Sequence, residues 1–292
     1  MAILLLLLPA AVAAFILYTI WKLRWGSPPG PFPAVLAYHK VGGFEFGGTW
    51  ITPARFAGHM DRLLDSGRRF ISEDEFLASL CGSRERDPGE ILLTFDDAYA
   101  MLSVNAIPAL AERKIPALVF VVTEYAGRDN AWELPLPGRR AAHMSWEEIR
   151  RLSDAGGVTF GSHSGFHRDL TKYPPGELDR ELAASKKAME ERTGRPARSF
   201  SYPYGRVNRR VAEAVRKAGY EAAFTLYPPG KITAVDPFML RREGVWVIDT
   251  GRSVLNKLPG SAIFWFEDVK GRSINAFAGM SLPRRRNGPS RR

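Results

Sequence analysis

Short apolar runs rich in β-branched residues alternate along this chain with amphipathic stretches, and that alternation restricts it to strands and helices built around a parallel sheet. The runs Val35 to Tyr38, Ile91 to Phe95, Ala117 to Val122, Val158 to Gly161, Ser199 to Tyr202 and Ala222 to Leu226 read as strands. Helical patterns lie between them over Pro53 to Leu64, Ile107 to Arg113, Ser145 to Ser153, Glu177 to Arg192 and Arg209 to Lys217, with Thr52 and Ser145 placed as N-caps. Six or more such units in about 220 residues fit a (β/α) barrel or a doubly wound sheet, where the carboxyl ends of the strands hold the site. The longest irregular piece, Glu124 to His143, reads as a loop over one rim and carries Trp132.

With 292 residues, 45% of them hydrophobic and 25% charged, the chain is neither disordered, collagenous nor a coiled coil, and one large domain is expected. The net charge of +10 suggests nucleic acid only until it is located. Lys22 and Arg24 at one end and Arg284, Arg285, Arg286, Arg291 and Arg292 at the other supply seven charges, leaving +3 for residues 27–281. A nucleic-acid binder needs a basic stripe within the fold, so this class is set aside. The lone Cys81 excludes a disulfide scaffold and a cysteine zinc cluster, and reads as a small half-buried side chain.

From Met1 to Trp21 no side chain is charged, a length sufficient for one membrane-crossing helix. Residues 1–24 read as an anchor or uncleaved signal, because no Ala-x-Ala pattern closes the segment and Trp21 and Trp25 flank Lys22 and Arg24 as interfacial residues do. Positive charge after the segment votes for a cytoplasmic domain. Residues 25–33, rich in Pro and Gly, form a spacer; the folded domain is expected over 34–281, followed by a basic disordered tail over 282–292.

Four polar clusters fall at the predicted strand ends: His39, the pair Asp96 and Asp97, the pair His163 and His167, and Tyr202 to Gly205. Adjacent carboxylates repel, so a cation is expected beside Asp96 and Asp97, although an Asp pair after a strand also serves as a turn or helix cap. Histidines four apart on one helical face or in a tight loop bring two imidazoles to one metal. Two imidazoles and one carboxylate make a facial triad suited to Zn²⁺ or another divalent first-row ion, and the second Asp is then free to act as general base.

Three segments, Thr94-Phe95-Asp96-Asp97, His163-Ser164-Gly165-Phe166-His167 and Phe200-Ser201-Tyr202-Pro203-Tyr204-Gly205, stand in an order that resembles polysaccharide deacetylases of the NodB-homology, carbohydrate esterase family 4 type. The resemblance runs from about Val35 to Val245. It implies an α/β fold, a distorted (β/α)7 barrel, here preceded by one N-terminal membrane helix. It also implies Asp96 as general base, a metal held by Asp97, His163 and His167, an oxyanion amide near Tyr204, and a groove for a chain of N-acetylated sugars. Zinc is the expected metal, with cobalt, nickel or iron as alternatives. Pro203, Tyr204 and Arg242 are the candidate substrate-binding residues, while Trp132 and Trp246 are further candidates for stacking on sugar faces.

The chain departs from the family pattern in three places. Ala98 follows Asp97 where Gly is usual, in a position that asks for positive φ. Ser201 occupies the place of the Arg that orients the base in many members; Arg198 and Arg242 are the possible substitutes, and Arg198 reads as a surface residue. No histidine follows His167 to act as the late general acid. Val35-Leu36-Ala37-Tyr38-His39 resembles the opening of the permuted poly-N-acetylglucosamine deacetylase branch, which points to His39 as the acid. His59 and His143 read as surface or capping residues.

The reading is metal-dependent N-deacetylation of an amino-sugar polymer, acting outside the cytoplasm because the substrate lies there, with an N-acetylated glycan and the membrane as partners and the oligomeric state left open. Its rivals are a metal-dependent hydrolase of a non-sugar C–N bond and a degenerate, membrane-tethered glycan-binding module.

Overall fold

The structure, a computed structural model, describes residues 32–45, 47–133, 140–228 and 235–280. The expected membrane segment 1–24, nearly all of the spacer 25–33 and the tail 282–292 lie outside the described residues. Among the described residues no helix is long and apolar enough to cross a membrane.

Ten strands and eight helices follow one another in the described residues. The strands are β1 (Ala34–Tyr38), β2 (Lys40–Val41), β3 (Trp50–Ile51), β4 (Arg69–Ile71), β5 (Glu90–Phe95), β6 (Ala117–Val121), β7 (Val158–Ser162), β8 (Ser199–Ser201), β9 (Ala222–Phe224) and β10 (Glu243–Gly244). The helices are α1 (Pro53–Asp65), α2 (Glu73–Cys81), α3 (Met101–Glu112), α4 (Trp146–Ala155), α5 (Pro175–Thr193), α6 (Arg209–Lys217), α7 (Gly251–Asn256) and α8 (Phe264–Met280). The main sheet has the order β10-β1-β5-β6-β7-β8-β9, every pairing in it is parallel, and β4 adds to the first half of β5. Its two ends approach each other, for Phe224, the last residue of β9, bridges Leu240 only three residues before β10. The result is a parallel-strand half-barrel with helices on its outside.

Local chemistry explains where the helices begin. Thr52 Oγ1 accepts from Arg55 N ahead of Pro53, and Ser145 forms a reciprocal capping box with Glu148, so both expected caps are present. A second capping box, Ser72 with Glu75, starts α2, which the apolar pattern alone did not show. The helix over Ile107–Arg113 begins earlier than expected, at Met101, because Ala100 precedes it without a side-chain cap to mark the place.

Strand periodicity sorts the core into two faces. Leu36, Leu93, Val119 and Phe200 join the layer packed under Phe56, Leu102, Ile149 and Leu182 of the surrounding helices. Val35, Leu92, Leu118, Phe120 and Phe224 point to the inner face, where Phe76 and Leu77 of α2 join them. Each such side chain contributes about 1.5–3 kcal/mol of burial. One residue beyond β1, β5 and β7 the inner alternation continues into the polar residues His39, Asp96 and His163, and that continuation builds the site.

Candidate metal and catalytic site

The inward positions of β1 run through Val35 and Ala37 to His39, those of β5 through Leu92 and Thr94 to Asp96, and those of β7 through Thr159 and Gly161 to His163. Backbone bonds carry the ladders over these residues: Asp96 N donates to Tyr38 O at 2.9 Å and His163 N to Val121 O at 2.8 Å. Parity therefore brings the three polar groups to one end of one face.

Asp96 is buried and gripped. Arg242, which has no exposed surface, donates from Nη1 to Asp96 Oδ1 at 2.7 Å and from Nη2 to Oδ2 at 2.8 Å. Ser201 Oγ donates to Asp96 Oδ1 at 3.1 Å and accepts from Arg242 Nη2 at 2.8 Å. Thr94 Oγ1 accepts from Nη1 at 3.3 Å. Burial alone raises the Asp96 pKa, but the charge and hydrogen bonds of Arg242 outweigh it, and the carboxyl lies well below its usual range. Arg242 thus takes over the orienting position left by the Ser at 201, and its guanidinium faces Asp96; expected as a substrate contact, it has no surface to offer one. Arg198 lies at the other end of the strands, paired with Asp74 and Glu221.

The neighbouring carboxylate meets the two histidines. Asp97 Oδ1 lies 3.7 Å from His163 Nε2 and 3.3 Å from His167 Nε2, and one ligand atom from each of the three side chains falls within 4.8 Å of the others. His163 Nδ1 lies 2.7 Å from Ser201 O; since a carbonyl can only accept, the proton is on Nδ1 and Nε2 keeps its lone pair. Burial lowers the pKa of both imidazoles, so both are neutral, as metal ligation requires. Burial, followed by the charges of Asp96 and Glu133, pushes the Asp97 carboxyl up, and its buried Oδ1 has no hydrogen-bond partner among the described residues. A buried, orphaned carboxylate oxygen facing two imidazole lone pairs fits a divalent cation.

The loops of the site stand on strained backbone. Five of the seven non-glycine residues with positive φ among the described residues belong to the site loops: Asp97 (70°), Ala98 (49°), Ser164 (67°), His167 (51°) and Tyr204 (59°). Each such conformation costs an L-residue on the order of 1 kcal/mol and persists where surrounding contacts over-determine it. Ala98 therefore adopts the conformation for which the family uses glycine. In the histidine loop, Glu181 of α5 accepts from Gly165 N at 2.9 Å and Phe166 N at 3.1 Å. At the third loop Gly205 has φ 64°, and a Cβ there would stand 2.5 Å from Leu226 Cβ.

His39, half-buried, places Nε2 3.9 Å from Asp96 Oδ2, and burial lowers its imidazole to about 4 against the opposing pull of Asp96. It faces the site rather than the core. Around it, buried Lys40 pairs with Glu133 and stands 4.9 Å over the Tyr99 ring. The His167 ring lies between Trp132, stacked at 4.3 Å, and Tyr204 at 4.6 Å. Tyr204 Oη donates to His167 O at 3.2 Å. Pro203 is buried and Tyr204 is half-buried.

Besides Arg242, four sequence expectations need correction. Trp246 is buried against Ala37 and Tyr227 and is not available to a sugar face. His59 and His143 are buried: His59 Nδ1 lies 3.0 Å from Tyr38 Oη, and His143 Nδ1 lies 2.6 Å from Asp97 O. Cys81 is exposed at the end of α2. Sequence reasoning also missed Glu181, Lys40 and Glu133. Their contacts span the chain, 93 positions for Lys40 and Glu133, and no local pattern encodes them.

The polysaccharide deacetylase family profile matches residues 83–223, which contain the acidic pair, His163, His167 and Tyr204. That stretch of the chain resembles a polysaccharide deacetylase domain. His39 and Arg242 fall outside the matched stretch. Bacillus subtilis YxkH, whose name places it among the polysaccharide deacetylases, is 28% identical over 68% of this chain and 66% of its own length. The poly-β-1,6-N-acetyl-D-glucosamine N-deacetylase of Staphylococcus aureus is 24% identical over 60% of this chain and 61% of its own length. The chain thus spans less than two thirds of either relative. Among solved structures, IcaB from Ammonifex degensii matches with a TM-score of 0.63 at 28% identity, over 77% of this chain and 95% of that one. The Streptococcus pyogenes deacetylase PplD shares the fold at a TM-score of 0.67 and 19% identity, over 80% of this chain and 99% of that one.

Proposed function

We propose that this deacetylase domain hydrolyses the N-acetyl groups of an amino-sugar polymer, releasing acetate and a free amine, on a distorted (β/α)7 barrel. The observation that carries the reading is the pairing of two unlike carboxylates. Asp96 is held ionised by the Arg242 fork, while Asp97, one residue away, is turned toward His163 and His167. Such a split assigns one carboxylate to the proton and the other to a cation. A divalent ion, zinc first and cobalt, nickel or iron as alternatives, would be held by Asp97, His163 and His167 and would supply Lewis-acid polarisation of the acetamide carbonyl and acidification of water.

The chain's own residues complete the chemistry. Asp96 accepts the proton of the attacking water. His39 lies 3.9 Å away, and its imidazole, at about 4, holds a proton more tightly than Asp96 does. The proton can therefore pass from Asp96 to His39 and on to the leaving nitrogen, which balances the hydrolysis with one water consumed. The backbone amide of the Pro203–Gly205 turn is the candidate for the oxyanion, and Tyr204 and Trp132, set around His167, border the acetyl group.

The poly-N-acetylglucosamine activity named for the Staphylococcus aureus relative makes N-acetylglucosamine polymers the substrate class to test first. Such a polymer lies outside the cytoplasm, and residues 1–24 would tether the domain there. The decisive experiment is acetate release from N-acetylglucosamine oligomers by metal-stripped protein, before and after Zn²⁺ or Co²⁺, beside Asp96→Asn. Release that returns with metal and is lost by about 10²-fold or more in the variant supports the reading. Stoichiometric metal binding with no release from any oligomer would overturn the sugar substrate.

A further inference from the structure

His143 has no role in the hydrolysis above, yet it is bound to the residue that matters most to the metal. It lies 46 positions beyond Asp97, is 3% exposed, and holds Nδ1 2.6 Å from the Asp97 carbonyl oxygen. The carbonyl can only accept, so Nδ1 carries the proton and donates it. Around this bond the two strands of chain are zipped together: Tyr99 and His143 form an antiparallel bridge, Met144 N donates to Ala98 O at 2.8 Å, and Ala100 N donates to Ala142 O at 2.8 Å. The imidazole stacks on Tyr99 at 4.8 Å and meets Trp132 at 5.0 Å, which fixes the plane of the ring.

The bond falls where the backbone most needs it. Asp97 and Ala98 are consecutive non-glycine residues at positive φ, and the carbonyls of both receive a donor from the segment Ala142–Met144. Without those donors the turn can relax toward ordinary φ, and rotation about the Asp97 backbone would swing Oδ1 away from His163 and His167. The geometry points to His143 as a positioning residue: through the Asp97 carbonyl it locks the left-handed turn that presents the Asp97 carboxylate to the two histidines. This role rests on the metal reading of the triad. It operates through the peptide group of a ligand, whereas Ser201, at His163 Nδ1, acts on a ligand ring directly.

Two substitutions in the full chain separate the hydrogen bond from the packing. His143→Phe keeps a ring against Tyr99 and Trp132 but has no donor; His143→Asn gives up the stack but can place an amide N–H where Nδ1 stands. Zinc affinity is measured by competition with a chromophoric chelator, alongside kcat, KM and the melting temperature of the metal-free protein. His143→Phe is expected to lose about 10–100-fold in zinc affinity and a similar factor in kcat, with KM nearly unchanged. His143→Asn is expected to keep zinc affinity within about threefold of the unsubstituted protein. Retention of zinc by His143→Phe, or equal losses in both variants, would overturn the positioning role and leave His143 a packing residue. Failure of the unsubstituted protein to bind zinc would overturn the metal reading itself, and this role with it.

Discussion

At the scale of single residues, the site depends on how one guanidinium holds one carboxylate. Arg242 reaches both oxygens of Asp96 and also Ser201 Oγ, a set of contacts that needs a planar fork. Arg242→Lys keeps the charge and loses the fork; if Asp96 is the base as proposed, kcat is expected to fall by about 10²-fold, because a catalytic group misplaced by about 1 Å costs that much. Steady-state kinetics on any accepted oligomer check it, and an unchanged kcat would show that the charge alone suffices. The grouping of Asp97, His163 and His167 was legible in the sequence because Asp97 ends an apolar run and His163 and His167 recur at a ligand spacing. Arg242 was legible only as one of two candidates. Nothing beside it marks it as the partner of a residue 146 positions away.

Secondary-structure elements set the site loops through a few polar ties, and Asp169 makes one of the strongest. Its carboxylate caps the short 3-10 turn Leu170–Lys172 through Thr171 and accepts from Arg206 Nη1 at 2.7 Å, joining the chain after His167 to the turn that carries Tyr204. Partial burial alone would raise its pKa, but the bonds from Thr171 and Arg206 outweigh that and lower it. A carboxyl lowered in the folded state adds stability above its unfolded pKa of about 3.9, and that stability is lost as pH falls through the folded value. Asp169→Asn is therefore expected to cost about 1–2 kcal/mol at pH 7, with the difference closing as pH falls below the unfolded pKa of about 3.9 and through the folded value, in urea titrations at a series of pH values. A difference independent of pH would mean that the tie is not electrostatic.

At the scale of the whole molecule, the C-terminal helices are fastened to the half-barrel by buried charge. Lys257 Nζ, fully buried, lies 3.3 Å from both Asp249 and Glu267, and Lys270 Nζ lies 2.6 Å from Asp249. Trp246 N donates to the same Asp249, and Arg241 on the approach to β10 pairs with Asp268 of α8 at 2.5 Å. Removing one partner from such a network leaves carboxylates buried with too little compensation. Lys257→Ala is expected to cost about 3–5 kcal/mol, lowering the melting temperature by roughly 6–15 °C. Amide exchange should rise first in α7 and α8. A shift of under about 2 °C would show that the network is solvated enough to be dispensable.

The sequence by itself determined the alternation of elements and six core strands to within a few residues, because a strand buried on both faces must be written as a continuous apolar run. It also singled out the acid pair, the histidine pair and His39: Asp96, His163 and His39 continue the inward parity of a strand past its last apolar residue, and Asp97 and His167 follow at the spacing of an adjacent carboxylate and a second imidazole. Tertiary structure alone decided the rest. The strands β2, β3, β4 and β10 are too short or too polar to show a period, and they exist because neighbouring strands offer them a ladder. The burial of His143 and His59, the Lys40–Glu133 pair and the Arg242 fork depend on segments that meet only once the sheet has curled. A hydrogen bond between residues far apart in sequence leaves no mark on the residues flanking either one.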